Sequence, residues 1–154
     1  MAWRRRWTSS LLAVLLAGVP RAYADELPGV VDANRARINY MLNCRGCHGP
    51  GGEGNAVGGI PRLAGFVGNF LRVPGGRAYL VQVPGSANAA LSDAALAELL
   101  NWLLPTMGGD TVPATFDPYE TEEVGRLRQT PETDVAGTRS ALLQVLARQG
   151  VVEP

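Results

Sequence analysis

Apolar residues recur at helical spacing in four stretches of this chain, separated by intervals that lack the pattern. In residues 31–43, Val31, Ile38, Met41 and Leu42 fall near one another on a helical wheel, and Asp32 or Asn34 can cap the start. Ser92 to Leu104 is the clearest helix: Leu96, Leu99, Leu100, Leu103 and Leu104 make its apolar face. Ser92 is a good N-cap, Asp93 sits in the first turn and Pro105 follows the last residue. Tyr119–Arg128 and Val135–Arg148 also read as helical, the second with Val135, Leu142, Leu143 and Leu146 roughly in phase. Gln-Thr-Pro-Glu-Thr-Asp between them reads as a turn or cap. The elements predict an all-α chain.

The intervals have their own character. Residues 49–60 hold six glycines in twelve positions, too many for a stable regular element. Residues 61–91 contain short apolar pieces broken by Pro74, Gly75, Gly76, Pro84 and Gly85. No internal repeat and no low-complexity tract is visible.

The amino terminus changes the picture of where the fold begins. Arg4, Arg5 and Arg6 precede an apolar run from Leu11 to Val19, and Ala22-Tyr23-Ala24 then offers a small-residue cleavage site. This is the pattern of a secretory signal peptide spanning residues 1–24. The apolar run is too short to span a bilayer, which takes about 20 residues, so no stable membrane insertion of the mature chain is expected. The mature protein then starts at Asp25 and runs 130 residues, enough for one small domain. Every basic residue is arginine, and removing Arg4, Arg5, Arg6 and Arg21 from 14 leaves ten against 14 acids, a net charge of −4. Such a chain is a poor candidate for nucleic acid or an anionic membrane surface.

Residues 44–48 read Cys-Arg-Gly-Cys-His and carry the chemistry. Two thiols at this spacing can each add across a vinyl group of one haem, and the histidine that follows then lies beneath the iron as an axial ligand. His48 is the only histidine in the chain. A tetrahedral zinc site would need an acidic fourth ligand beside Cys44, Cys47 and His48. A disulfide or a thioredoxin-like dithiol is the other alternative, but that motif opens a helix after a strand, and no strand pattern precedes Cys44. The expected cofactor is one haem c, covalently attached through Cys44 and Cys47. Attachment after export on an unfolded chain favours general secretion over the twin-arginine route that Arg4–Arg6 faintly suggests. In this context the glycines of residues 49–60 read as backbone lying close against a flat cofactor.

From Asp32 to Leu104 the chain resembles a class I c-type cytochrome. Tyr40 stands four residues before the first cysteine and Ala36 eight before it, matching the family's positions where the N-terminal helix crosses the C-terminal one. Trp102 matches the aromatic on the C-terminal helix. Pro61-Arg62-Leu63-Ala64-Gly65 looks like the family's Pro-x-Leu-x-Gly segment. The resemblance implies that the Pro61 carbonyl accepts a hydrogen bond from the His48 Nδ1–H, the orienting contact a metal-bound imidazole needs. It implies a small helical haem domain over residues 25–105, leaving 106–154 as a C-terminal extension of two short helices.

The sequence departs from the family at the sixth iron ligand. There a methionine precedes the C-terminal helix, but here Val83-Pro84 stands where Met-Pro is expected, and no Met, His or Lys lies between Gly49 and Trp102. Three readings stay open: no protein ligand on the distal side, recruitment of Met107 from beyond the helix, or approach of a weak ligand such as Tyr79. Met41, ahead of the motif, reads as core. Arg72 and Arg77 are candidates for distal charge, and more readily for propionate or surface roles.

The resulting expectation is a non-enzymatic periplasmic cytochrome that carries single electrons between a dehydrogenase and an acceptor, its redox protein partners. Two alternatives remain: an open-site haem protein that binds NO, O₂, CO or peroxide, and a fixed subunit of a larger dehydrogenase. In the last, helix 135–148 would cover a partner instead of packing on its own core.

Overall fold

The structure, a computed structural model, describes residues 27–154. The expected signal peptide and its cleavage after Ala24 lie outside the described residues. Seven α-helical segments follow in order: α1 (Ala33–Asn43), α2 (Arg45–His48), α3 (Gly76–Gln82), α4 (Pro84–Ala87), α5 (Asp93–Leu103), α6 (Thr121–Arg128) and α7 (Val135–Arg148). A 3-10 segment covers Val67–Arg72, and no strand occurs among the described residues, only an isolated antiparallel bridge between Asn55 and Ile60. The all-α expectation holds.

α1 starts where Asp32 caps it, its carboxylate accepting from the N–H groups of Asn34 and Arg35, each at 3.0 Å. Its packing face is not the one the apolar pattern suggested. Val31, Ile38 and Leu42 are exposed, at 89%, 46% and 76%, and the buried residues are Ala36 and Tyr40. The physical reason lies in the crossing. A small residue lets α5 come close, and Tyr40 reaches over it to Trp102, ring centroids 6.0 Å apart and tilted 50°. Burying an aromatic ring of this size stabilises by roughly 2–3 kcal/mol.

α5 is the central helix, with Leu96, Leu99, Leu100 and Leu103 all buried and Ser92 Oγ accepting from Ala95 N–H at 3.2 Å. Pro105 does not stop it. The helix widens into a π turn over Leu104–Gly108, which accommodates a residue with no N–H to donate. Glu98, buried on α5, fastens the start of α1 by accepting from the N–H groups of Val31 and Asp32 and from both Nε and Nη2 of Arg35. Burial alone would raise its pKa, but these hydrogen bonds outweigh burial and hold the carboxyl below its usual range.

The segment after α5 folds back on the molecule. Buried Asn101 of α5 donates to the carbonyls of Gly29 and Tyr119 and accepts from Tyr119 N–H. α7 lays Leu142 and Leu146 against Phe66, Phe70, Val73 and Tyr79, forming a second apolar cluster beside the main one. The apolar stripe of 135–148 is thus spent within the chain.

Candidate functional site

α1 runs almost directly into the Cys-Arg-Gly-Cys-His turn. Cys44 closes α1, its N–H donating to Tyr40 O at 2.9 Å, and Cys44 O in turn accepts from the N–H groups of Cys47 and His48. The short α2 thus sets both thiols and the imidazole on one turn of backbone. Tyr40 ties that turn to its helix, its hydroxyl donating to Gly49 O at 2.7 Å. Burial pushes the Tyr40 phenol up to about 12, with smaller contributions from Cys44 and Glu53.

Cys44 and Cys47 are unpaired thiols, Cys44 half-buried and Cys47 exposed. Burial first, and neighbouring Cys47 second, push the Cys44 thiol up to about 11. Burial thus moves the Cys44 thiol in the opposite direction from the lowered pKa through which a reactive dithiol pair works. No cluster of three or more His, Cys, Asp or Glu side chains suited to a metal ion occurs among the described residues. That leaves zinc without its fourth ligand.

His48 Nδ1 lies 3.1 Å from Pro61 O. A carbonyl only accepts, so Nδ1 carries the proton and Nε2 keeps its lone pair for coordination. Two unpaired thiols on one turn of backbone, next to an imidazole whose outer nitrogen is anchored, fit a covalently attached haem.

The glycine-rich loop explains how Pro61 is held. Gly54 N–H donates to His48 O at 2.8 Å, and Gly52 O accepts from the N–H groups of Leu63 and Ala64. Gly54 has φ +72°, and a Cβ there would lie 2.7 Å from the carbonyl oxygens of Ile60 and Pro61. A Cβ on Gly52, at φ +78°, would meet Met107 Sδ at 2.9 Å and Leu63 Cβ at 3.0 Å. The close approach that the sequence suggested toward a cofactor is, at these two positions, an approach to the chain's own backbone and side chains.

Met107 therefore sits in the main core, 8% exposed, against the loop that carries Pro61, and its carbonyl accepts from Gly65 N–H at 2.7 Å. The structure brings Cys44, Cys47, His48 and Pro61 together and places Met107 behind the loop that anchors the histidine. Tyr79 is buried between the Phe70 ring, 5.6 Å away, and α7. Arg72, exposed at the surface as expected, and Arg77, half-buried, both hold the C-terminal segment. Arg72 donates to the carbonyls of Asp110 and Thr111. Arg77 pairs with Glu123, donates to the carbonyls of Asp117 and Pro118, and stacks 3.9 Å over the Tyr119 ring. Sequence reasoning missed Arg128, which donates to the carbonyls of Ala87, Ala89 and Leu91 and to Asp93. Backbone acceptors leave no trace in side-chain spacing, so no signal pointed to it.

No family model and no solved structure matches the chain. It is similar to a cytochrome c-552 of Thermus thermophilus, 34% identical over 137 residues that span 77% of this chain and 85% of the relative. A second cytochrome c-552 of Thermus thermophilus is 34% identical over 114 residues, 62% of this chain and 85% of that protein. Residues 1–105 are about two-thirds of the chain, so the first match necessarily runs past Pro105 into the segment that the sequence reading set apart. The attachment turn, the anchored imidazole, the α1–α5 crossing and this likeness converge: the chain belongs to the class I c-type cytochromes, electron-transfer proteins with one covalently bound haem c.

Proposed function

We propose that this cytochrome works in the periplasm, passing single electrons from a dehydrogenase to an acceptor protein, with Cys44 and Cys47 as the haem-attaching thiols and His48 as the proximal ligand oriented by Pro61. The observation that carries the reading is the 3.1 Å contact between His48 Nδ1 and Pro61 O, one turn from two unpaired thiols. Haem c supplies a one-electron iron couple; the chain's part is to hold it, set its axial field and admit partners. Pro61 keeps the imidazole in the Nδ1–H tautomer and raises its basicity. Arg45 and Leu42 are exposed on and just ahead of the attachment turn, and Val57 is fully exposed in the loop after it, which suits brief docking of a redox partner at this end. The reading as a fixed dehydrogenase subunit loses its main support, because Leu142 and Leu146 are buried against the chain's own Phe66, Phe70 and Tyr79.

The test is substitution at the turn. Cys44→Ala or Cys47→Ala leaves at most one thioether bond and sharply lowers the yield of holoprotein. His48→Ala changes both spectrum and potential. Normal yield with an unchanged haem spectrum in all three variants would sink the assignment.

A further inference from the structure

Resting on that haem assignment, we propose that the described residues of this chain give the iron a single axial ligand, His48, and leave the sixth position to a small neutral ligand of the CO or NO class. Protein axial ligands to haem are imidazole, thiolate, thioether or phenolate. The sequence has one histidine, no lysine, and two cysteines that the attachment consumes. Among the described residues this leaves Met41, Met107, Tyr40, Tyr79 and Tyr119.

The tyrosines are engaged elsewhere. Tyr40 donates to Gly49 O, and Tyr119, 3% exposed, donates to Arg77 O. Tyr79 is 6% exposed and packs on α7. Burial raises its phenol, and the charges next acting on it are Arg139, Glu132 and Glu153, all in the C-terminal segment.

Met107 is placed by its neighbours. Its sulfur abuts Gly52, whose carbonyl holds Leu63 and Ala64, and its own carbonyl holds Gly65. Those residues directly follow Pro61, the His48 anchor. Met107 is thus packed behind the loop that would hold the fifth ligand, and its sulfur is committed to that side. Met41 lies one helical turn ahead of Cys44, on the helix that leads into the attachment site.

The segment between α3 and α5, where the family resemblance placed a methionine, supplies no substitute. Residues 83–91 carry only one hydroxyl, on Ser86, and one amide, on Asn88. Arg128 clamps this backbone through three carbonyls, at 3.0 Å to Ala87, 2.7 Å to Ala89 and 2.8 Å to Leu91, and pairs with Asp93 at 2.9 Å. It is a positioning residue that keeps the segment from rearranging to bring in another donor. With no second histidine to serve as a base, the expected ligands are neutral diatomics that bind without proton transfer.

Optical spectra of the mature holoprotein, ferric and ferrous, with and without CO, test this directly. The expected result is a high-spin ferric form, a ferrous Soret band that shifts on near-stoichiometric CO, and the same behaviour in Met107→Leu. A low-spin ferric form whose ferrous state ignores CO overturns the proposal, whether or not it shows the long-wavelength iron–sulfur band. That result leaves the haem assignment standing, whereas a protein with no attached haem overturns both. The wild-type spectra decide even if Met107→Leu does not fold.

Discussion

Gly54 is confined by backbone near the attachment turn. Its φ is +72°, and its Cα faces the carbonyl of Pro61, the atom against which His48 rests. Gly54→Ala adds backbone strain of about 1–2 kcal/mol and drives a methyl into that carbonyl. Denaturant unfolding of the holoprotein is expected to show a loss of at least about 2 kcal/mol together with an altered haem spectrum. An unaltered spectrum would mean that Pro61 is held by something else. Glu98 makes a prediction of the other kind. Its folded pKa lies below its ordinary value of 4.5. The unfolded chain therefore binds the proton more readily, and the stabilisation is present above pH 4.5 and lost as pH falls through the folded pKa. Glu98→Gln is expected to cost about 1–3 kcal/mol at neutral pH and to flatten the acid limb of a stability-versus-pH curve. A parallel curve for the variant would remove Glu98 from that limb.

At the scale of elements, α5 and α7 are where pattern and structure agree. The Ser92 cap, the leucine face and the bounds of Val135–Arg148 are all local signals, and local signals survive folding. α1 shows the limit. Ile38 and Leu42 carry the apolar signal but face outward, while Ala36 and Tyr40 make the crossing with α5. A small residue and one aromatic matter there because of what α5 brings opposite them, which spacing within α1 does not encode. Their importance was legible only through resemblance to a family. The Cys44–His48 turn stood out in the sequence for the opposite reason: covalent haem attachment requires two thiols and an imidazole at fixed spacing within five residues. The clamps from Arg77 and Arg128 depend on backbone carbonyls 37 to 41 positions away and could not be read from sequence. The packing of α7 carries its own test. Removing residues 119–154 strips Leu142 and Leu146 from Phe66, Phe70 and Tyr79 and takes Tyr119 from Asn101. The truncated chain is expected to bind a dye for exposed apolar surface and to unfold with low cooperativity. A truncated protein as stable as the full chain would return α7 to the role of a partner-binding helix.

As a whole molecule, the protein is one helical body organised around the turn at Cys44–His48. α1 delivers the thiols, the loop from Gly49 to Gly65 fixes the imidazole through Pro61, and α5 and the π turn that follows it back both through Trp102 and Met107. The segment after Pro105 is fastened to α3, to residues 87–93 and to the Val67–Arg72 turn through Arg77, Arg128 and α7. No helix among the described residues is long and apolar enough to cross a membrane. With the sixth position left open as proposed, the reduction potential is expected to lie below that of a cytochrome ligated by His and Met, because a thioether raises the potential. A spectroelectrochemical titration of the holoprotein, followed by acid–acetone extraction, tests whether one covalently held haem cycles a single electron. One reversible one-electron wave is expected, with haem that stays with the denatured chain. Haem that partitions into the solvent, or a protein with no reversible wave, would contradict it.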